Sequence, residues 1–340
     1  MAIKNIVVIG GGPAGLEASA QLNYMGYNVF LIEKNDKLGG HLGKWDRLFP
    51  QGIRSEELLN PLIKNTVGVK TFVNTEVVSI NKLEKQYNTI LSNGITILAH
   101  AVLFATGFDL FPASKKEEYG YGIYDKVITN ADLETFFRTK SDPRIDHPLK
   151  IGFVHCVGSR DEKIGNRQCS KVCCATAVKQ ACEIKEVFPN AEVICFYMDL
   201  RMFGRKYEDL YLTAQKKYGV RFIRGRVSEV GENINHQLIV KAEDTLSSKP
   251  LKVTLDLLVL MCGMNNSSEG IKTASLIGLK ADEDGFFETL NPIQGSIFSH
   301  KKGIFYAGAA TGPKTLPETI NEGRAAAICI NNYIKEEINE

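Results

Sequence analysis

Four cysteines, at positions 156, 169, 173 and 174, are the residues whose types and spacing most directly allow chemistry in this 340-residue chain. They stand in CVGSRDEKIGNRQCSKVCC, a C-x12-C-x3-C-C set whose last two members are adjacent. Iron–sulfur ligation is the first reading of that set. Zinc also accepts four thiolates, but its structural sites usually pair them as C-x2–4-C, and buried cysteines without a ligand are a third reading. A dithiol relay needs a C-x-x-C pair, and the set contains none.

The run CSKVCCATAVKQACEIKEVF (169–188) has a helical pattern. A helix there sets Cys169 and Cys173 one turn apart on one face, with Cys174 beside them and Cys156 at the end of the preceding strand. Helix N-termini favour anionic groups and lower thiol pKa values, which suits three thiolates in a first turn. Arg160, Lys163, Arg167 and Lys171 would offset the charge of four thiolates.

The elements that hold such a site begin at the N-terminus. Residues 3–9, IKNIVVI, suit a strand buried on both faces. Gly10, Gly12 and Gly15 follow in GGGPAG, then a helical pattern, then a strand NVFLIE that ends at Glu33. This is a dinucleotide-binding βαβ unit. Gly10 makes the tight turn, Gly12 lets the backbone approach a pyrophosphate, and Gly15 lets helix and strand pack closely. Glu33 lies at about the ~20-residue offset expected for an adenosine ribose contact. The unit alone does not separate NAD from FAD.

Composition narrows the class. The chain is 44% hydrophobic and 24% charged, with a formal net charge of +2, which argues for neither nucleic acid nor membrane binding. No secretory signal and no apolar run of roughly 18 residues is present, so the expected location is cytoplasmic and the thiols are expected reduced. That weighs against structural disulfides.

Two later segments resemble the two-dinucleotide-binding flavoproteins. AHAVLFATGFD (99–109) is similar to the strand-plus-ATG motif that closes the first part of their FAD domain, and GIFYAGAATGPKTLPETINEGRAAA (303–327) to their C-terminal flavin segment. Short alternating strands between Gly68 and Ala99 fit the β-meander of that domain. The resemblance implies an α/β fold like that of thioredoxin and glutathione reductases. It has a split FAD-binding Rossmann domain, 1–112 and 286–340, and an inserted Rossmann-like domain, 113–285, that carries the cysteines. The implied FAD contacts are Gly10, Gly12, Pro13, Ala14, Gly15, Glu33, Lys34, Gly40, His41, Leu42, Val77, Ala105, Thr106, Gly107, Gly308, Ala309, Thr315, Leu316, Pro317 and Thr319. Ala309 stands where the motif usually has Asp, which shifts load onto backbone N–H groups. In the insert, the first strand LKIGFVHCVG (149–158) runs into HCVGSRDE, whose single glycine is no phosphate-cradling loop.

The run CVGSRDEKIGNRQCSKVCCATAVKQA also resembles the flavoprotein A subunit of heterodisulfide reductase. So do EKNDKLGGHLGKW (33–45), ITNADLE (128–134), YMDLRMFGRKYEDLY (197–211), GVRFIRGRVSEV (219–230) and GPKTLPETINEGRAAA (312–327). That resemblance implies one [4Fe–4S] cluster on Cys156, Cys169, Cys173 and Cys174, beside FAD. The long methanogen A subunits carry further cluster regions that this sequence lacks, so it is most similar to the compact A subunit of the heterodisulfide-reductase-like complex of sulfur oxidisers. The role implied is an electron-transferring oxidoreductase subunit, not active alone, acting on sulfane sulfur held by a lipoate-binding protein. A homodimer core with B- and C-type partner subunits is expected. The A subunit of a quinone-interacting oxidoreductase and the methanogen type are alternatives within the family; a stand-alone NAD(P)H-dependent flavoprotein reductase is the alternative of another class.

Other residues read more plainly. Cys182, Cys195 and Cys329 fit buried core positions, and Cys262 follows LLVLM at a strand end, from which a thiol could reach a flavin but more simply packs. Trp45 reads as packing. Arg201, Arg205 and Lys206 suit a solvated face or a counter-charge to a partner. No catalytic acid, base or nucleophile stands out.

Overall fold

A computed structural model describes residues 3–338. The chain divides into two compact units: Met1–Lys44 with Ser55–Asp109 and Asn265–Glu340, and Trp45–Arg54 with Leu110–Met264.

The first unit is a five-stranded parallel sheet in which β1 (Asn5–Ile9) is central and pairs with β2 (Asn28–Ile32). The remaining strands are Lys70–Phe72 beside β2, and Ala101–Phe104 then Ile304–Tyr306 on the other flank. Every position of β1 after Asn5 is buried, which is why that run is apolar without alternation. Helix α1 (Pro13–Tyr24) joins β1 to β2. An antiparallel meander, Val77–Lys82, Tyr87–Leu91 and Thr96–Ala99, stands in the chain between the strands Lys70–Phe72 and Ala101–Phe104.

The second unit repeats the plan. Its parallel sheet runs β3 (Val127–Thr129), β7 (Leu257–Cys262), β4 (Lys150–Val157), β5 (Glu192–Tyr197), β6 (Arg221–Arg224) in spatial order. Helix α2 (Cys173–Val187) connects β4 to β5. Three antiparallel strands, Val227–Glu232, Leu238–Asp244 and Lys249–Leu255, cover one face.

Residues 110–112 group with the second unit, and these limits differ from the sequence-based ones more widely at two further places. Residues 265–285 group with the first unit, because the helix Ser268–Ser275 sets Gly270 against Thr106 and buries Ala274 in the core with Ile80 and Tyr306. Residues 45–54 group with the second, because the Asp46 N–H donates to Glu134 and the Arg47 carbonyl accepts from Lys179.

That contact belongs to a charged cluster that α2 shares with the helix Asn130–Thr139. Lys179, Glu134 and Glu183 are each about 95% buried, and Lys179 pairs with both carboxylates. Glu134 also accepts from Gln180. Burial pushes the Glu183 carboxyl up to about 7, with Lys179 opposing the rise. A carboxyl whose pKa rises on folding supports the fold below its unfolded value and loses that support as pH climbs through the folded one. Thermal stability should therefore decline between about pH 4.5 and 7 through this group. Glu183→Gln is expected to flatten that decline and gain on the order of 1–3 kcal/mol at pH 8 relative to pH 5. Parallel melting curves at the two pH values check it, and an unchanged slope in the variant refutes the assignment.

Candidate functional site

In the first unit the turn between β1 and α1 is shaped by its glycines. Gly10 holds φ at +109°, and a Cβ there would lie 2.3 Å from the Ala105 carbonyl oxygen. A Cβ on Gly15 would stand 1.9 Å from the Gly10 carbonyl oxygen, so α1 seats on the turn only because that residue is bare. Gly12 is different: a Cβ there would meet nothing within 4 Å. It is also the N-cap of α1, with no side-chain cap, and Pro13 and Ala14 follow in the first turn. Uncapped N–H groups facing open space suit a pyrophosphate.

Glu33 follows β2, buried, and its carboxylate accepts from the Gly11 and Asn35 N–H groups, both at 2.8 Å. It therefore braces the glycine turn, a role beyond the ribose contact expected of it. Lys34 beside it is exposed. Gly40 approaches the same turn, since a Cβ on it would lie 3.3 Å from the Gly12 Cα. Leu42 is buried in the short 3₁₀ helix Gly40–Lys44. His41 stacks on Phe108 with ring centroids 4.2 Å apart, its Nε2 2.8 Å from the Phe108 carbonyl oxygen. Burial lowers the His41 pKa, against the pull of that carbonyl. Val77 lies in the hydrophobic core with Ile32 and Ile80.

In the Ala105–Thr106–Gly107 turn, Thr106 Oγ1 is buried with no hydrogen-bond partner. The Asn266 side chain, not singled out from sequence, is also buried with both amide atoms unpartnered. Such orphaned groups fit a bound molecule. At the C-terminal segment, Ala309 is buried, and the Gly308 N–H donates to Glu322 at 2.7 Å. Lys314 Nζ donates to the Gly308 carbonyl at 2.9 Å and pairs with Glu322 at 3.1 Å. The Lys314–Glu322 pair thus orders backbone that the usual Asp does not reach here. Lys314 lies just before the C-terminal helix Leu316–Tyr333 and Glu322 on it. Thr315 precedes that helix and donates through N–H and hydroxyl to Glu318, both at 2.8 Å; Leu316 and Pro317 form its start, and the Thr319 N–H donates to the Thr315 carbonyl.

In the second unit the register of β4 against β7 shifts between Val154 and Val157. Cys156 sits in that bulge with φ at +59°, and Arg160 and Lys171 in the following loop hold +53° and +62°. Non-glycine residues adopt this region rarely, and such strain gathers at functional sites. The left-handed Lys171 also corrects the expected helix. α2 begins at Cys173, so Cys173 and Cys174 open its first turn while Cys169 lies in the loop before it. Ser170, buried, fixes that loop by accepting from the Met264 N–H at 2.8 Å.

The four sulfurs share one neighbourhood. Burial raises the thiol pKa of Cys156 to about 12, of Cys173 well above its ordinary value, and of Cys174. Nearby thiols, Cys169 among them, add to each rise. Arg160 opposes it at Cys156, and an N–H from Arg201 opposes it at Cys174. Cys169 is half-buried and accepts from the Lys171 N–H at 3.3 Å. Arg160 pairs with Asp199 at 2.7 Å through Nη2, while its buried Nη1 has no partner. Lys163 and Arg167 are exposed, so of the four basic residues expected to balance the thiolates Arg160 faces them most directly. Buried thiols with an unspent guanidinium nitrogen beside them fit a ligated group, since a cation would favour the thiolate form. Among the described residues no three His, Cys, Asp or Glu side chains converge on a single metal ion. A cluster asks for something else, one thiolate on each of several irons.

The place of a nicotinamide phosphate loop is filled differently. Gly158 follows β4, and a Cβ on it would lie 2.0 Å from the Phe111 ring, so that ring covers the backbone. Cys182, Cys195 and Cys262 are buried, and burial lifts the Cys262 thiol to about 12. Arg201 borders an open groove of about 580 Å³ with Tyr197, Phe203 and Arg224.

Two parallel sheets of this kind, the first with a dinucleotide turn, define an α/β Rossmann fold of the flavoprotein type. The pyridine nucleotide-disulphide oxidoreductase family matches residues 1–145. The fold is similar to that of Lactococcus lactis thioredoxin reductase, with TM-score 0.70 and 18% identity over 98% of this chain and 99% of that one. Thioredoxin reductase from T. acidophilum follows at TM-score 0.67 and 16% identity, over 97% and 98% of the two chains. In sequence the chain is a homologue of the heterodisulfide reductase A subunits. It is 30% identical to the iron-sulfur A subunit of the CoB–CoM heterodisulfide reductase of Methanocaldococcus jannaschii, over 96% of this chain and 64% of that protein. It is 31% identical to the first of two such A-type proteins in Methanopyrus kandleri, over 95% and 63%. The chain therefore spans less than two thirds of the length of these relatives. Among the described residues no helix is long and apolar enough to cross a membrane.

Proposed function

We propose that the chain is an electron-transferring subunit of a heterodisulfide-reductase-like complex, holding FAD in its first unit and one [4Fe–4S] cluster on Cys156, Cys169, Cys173 and Cys174 in its second. The observation that carries this is the gathering of four thiols at the carboxyl end of β4 and the start of α2. That is where a nicotinamide-binding domain would present its glycine loop. When bound, a flavin accepts electrons in pairs and a cluster passes them singly. The chain's own groups hold and orient. Gly12 and the first turn of α1 receive the pyrophosphate, Glu33 keeps the turn in shape, and Arg160 offsets thiolate charge.

The compact A subunit of the sulfur-oxidising complex is the version favoured, with sulfane sulfur delivered on a lipoate-binding protein. B- and C-type subunits dock on a homodimer core in the cytoplasm. The relatives' names favour the methanogen-type complex as the second reading, and the quinone-linked complex is a third. Affinity purification from native cells separates them. Cysteine-rich heterodisulfide-reductase-type subunits with a lipoate-binding protein support the first, hydrogenase or formate dehydrogenase components the second, and a membrane haem protein the third. A monomer active alone refutes the subunit role. Because Phe111 covers Gly158, NAD(P)H is expected to be a poor direct reductant. Stopped-flow mixing with micromolar NADH should leave the flavin oxidised; rapid stoichiometric bleaching would revive the stand-alone reductase.

A further inference from the structure

His155 is buried, and neither Nδ1 nor Nε2 has a hydrogen-bond partner. An unsatisfied buried polar group costs about 1–3 kcal/mol, and folded proteins normally satisfy it with protein, water or ligand. Its position indicates which. Phe153 and Cys195 pair in register on β4 and β5, and both lie in the core that α2 covers. Two residues further along each strand, on the same face, stand His155 and Tyr197, with ring centroids 6.5 Å apart. Tyr197 in turn packs on Phe222, which borders that core. His155 therefore faces the α2 side at the carboxyl end of β4, the end where α2 begins with Cys173 and Cys174. Cys173 belongs to that same core. The next residue along the strand is Cys156, turned by the bulge.

We propose that His155 is a positioning residue for the iron–sulfur cluster, its ring N–H donating to a cluster sulfur or to one of the four thiolates. The assignment rests on the cluster reading above. A neutral imidazole carries one N–H in either tautomer, so donation needs no change of protonation. Hydrogen bonds to the sulfurs favour the more negative, reduced state and raise the reduction potential.

The test uses the full chain, prepared without oxygen, with histidine labelled by ¹⁵N. Pulsed electron paramagnetic resonance of the reduced cluster should show a histidine ¹⁵N coupling. Redox titration of His155→Leu with full iron should show a lower midpoint, so that at the wild-type midpoint the reduced-to-oxidised ratio falls roughly tenfold, the effect of one hydrogen bond to a charged group. His155→Gln keeps N–H donors and should recover most of the shift. An unchanged midpoint in an iron-replete Leu variant overturns the assignment. If that variant fails to hold iron, the wild-type label decides, and no histidine coupling overturns it. A chain that takes up no iron overturns the cluster reading as well, whereas a cluster without the coupling overturns His155 alone.

Discussion

Cys173→Ser and Cys174→Ser chains, purified without oxygen, are expected to lose the iron and keep the flavin. Iron should fall from about four atoms per chain to below one, with the brown absorbance lost and the yellow retained. The separation follows from placement. Both cysteines open α2 in the second unit, whereas every group proposed to hold FAD lies in the first. The loss should be near complete because a serine hydroxyl stays protonated where burial already pushes thiols up and only ligation favours the anion. Cys182→Ala is the control. It sits on the same helix, buried in the core, so it should keep full iron at the cost of about 1 kcal/mol of stability. Loss of flavin together with iron would mean that the two sites depend on each other in folding. Stoichiometric zinc without iron would replace the cluster by a structural ion.

The parts of this arrangement that were legible in the sequence are those with a local cause. An apolar run, a glycine turn and a helix periodicity define β1, α1 and β2, because each signal lies within the residues it describes. The meander could be seen in the same way, from alternation between Tyr87 and Ala99. Where tertiary contacts decide, sequence reasoning fell short. The helical pattern of 169–188 is real from Cys173 onward, but loop bonds at Ser170 and the left-handed Lys171 keep Cys169 out of it. The grouping of 45–54 with the second unit depends on Glu134 and Lys179, far along the chain, and no property of DRLFPQ announces it. Glu33 matched the spacing of a ribose ligand, yet its hold on the Gly11 N–H is a contact that spacing cannot express. The Lys314–Glu322 pair was hidden for a related reason: the missing Asp was visible, its replacement was not.

The glycines of the first turn offer the second large effect, because two of them answer to different demands. Gly15→Ala places a methyl 1.9 Å from the Gly10 carbonyl oxygen, backbone against backbone, where no side chain can give way. Overpacking of that kind costs about 1–3 kcal/mol and moves α1 off the turn, so the variant should melt lower with or without flavin. Gly12→Ala meets nothing within 4 Å, and Gly12 has φ at −77°, an ordinary value for any residue. As an N-cap change from glycine it should lower apoprotein stability by only about 0.5–1 kcal/mol. Its effect belongs to the ligand: the methyl occupies the space through which a pyrophosphate reaches the first-turn N–H groups. FAD affinity should drop about 100-fold, or ~2.7 kcal/mol, measured by flavin fluorescence on dilution. The pair distinguishes a turn that only folds from one that binds. If Gly12→Ala holds FAD as tightly as the parent chain, the pyrophosphate does not lie at this turn, and the open space beside Gly12 has another explanation.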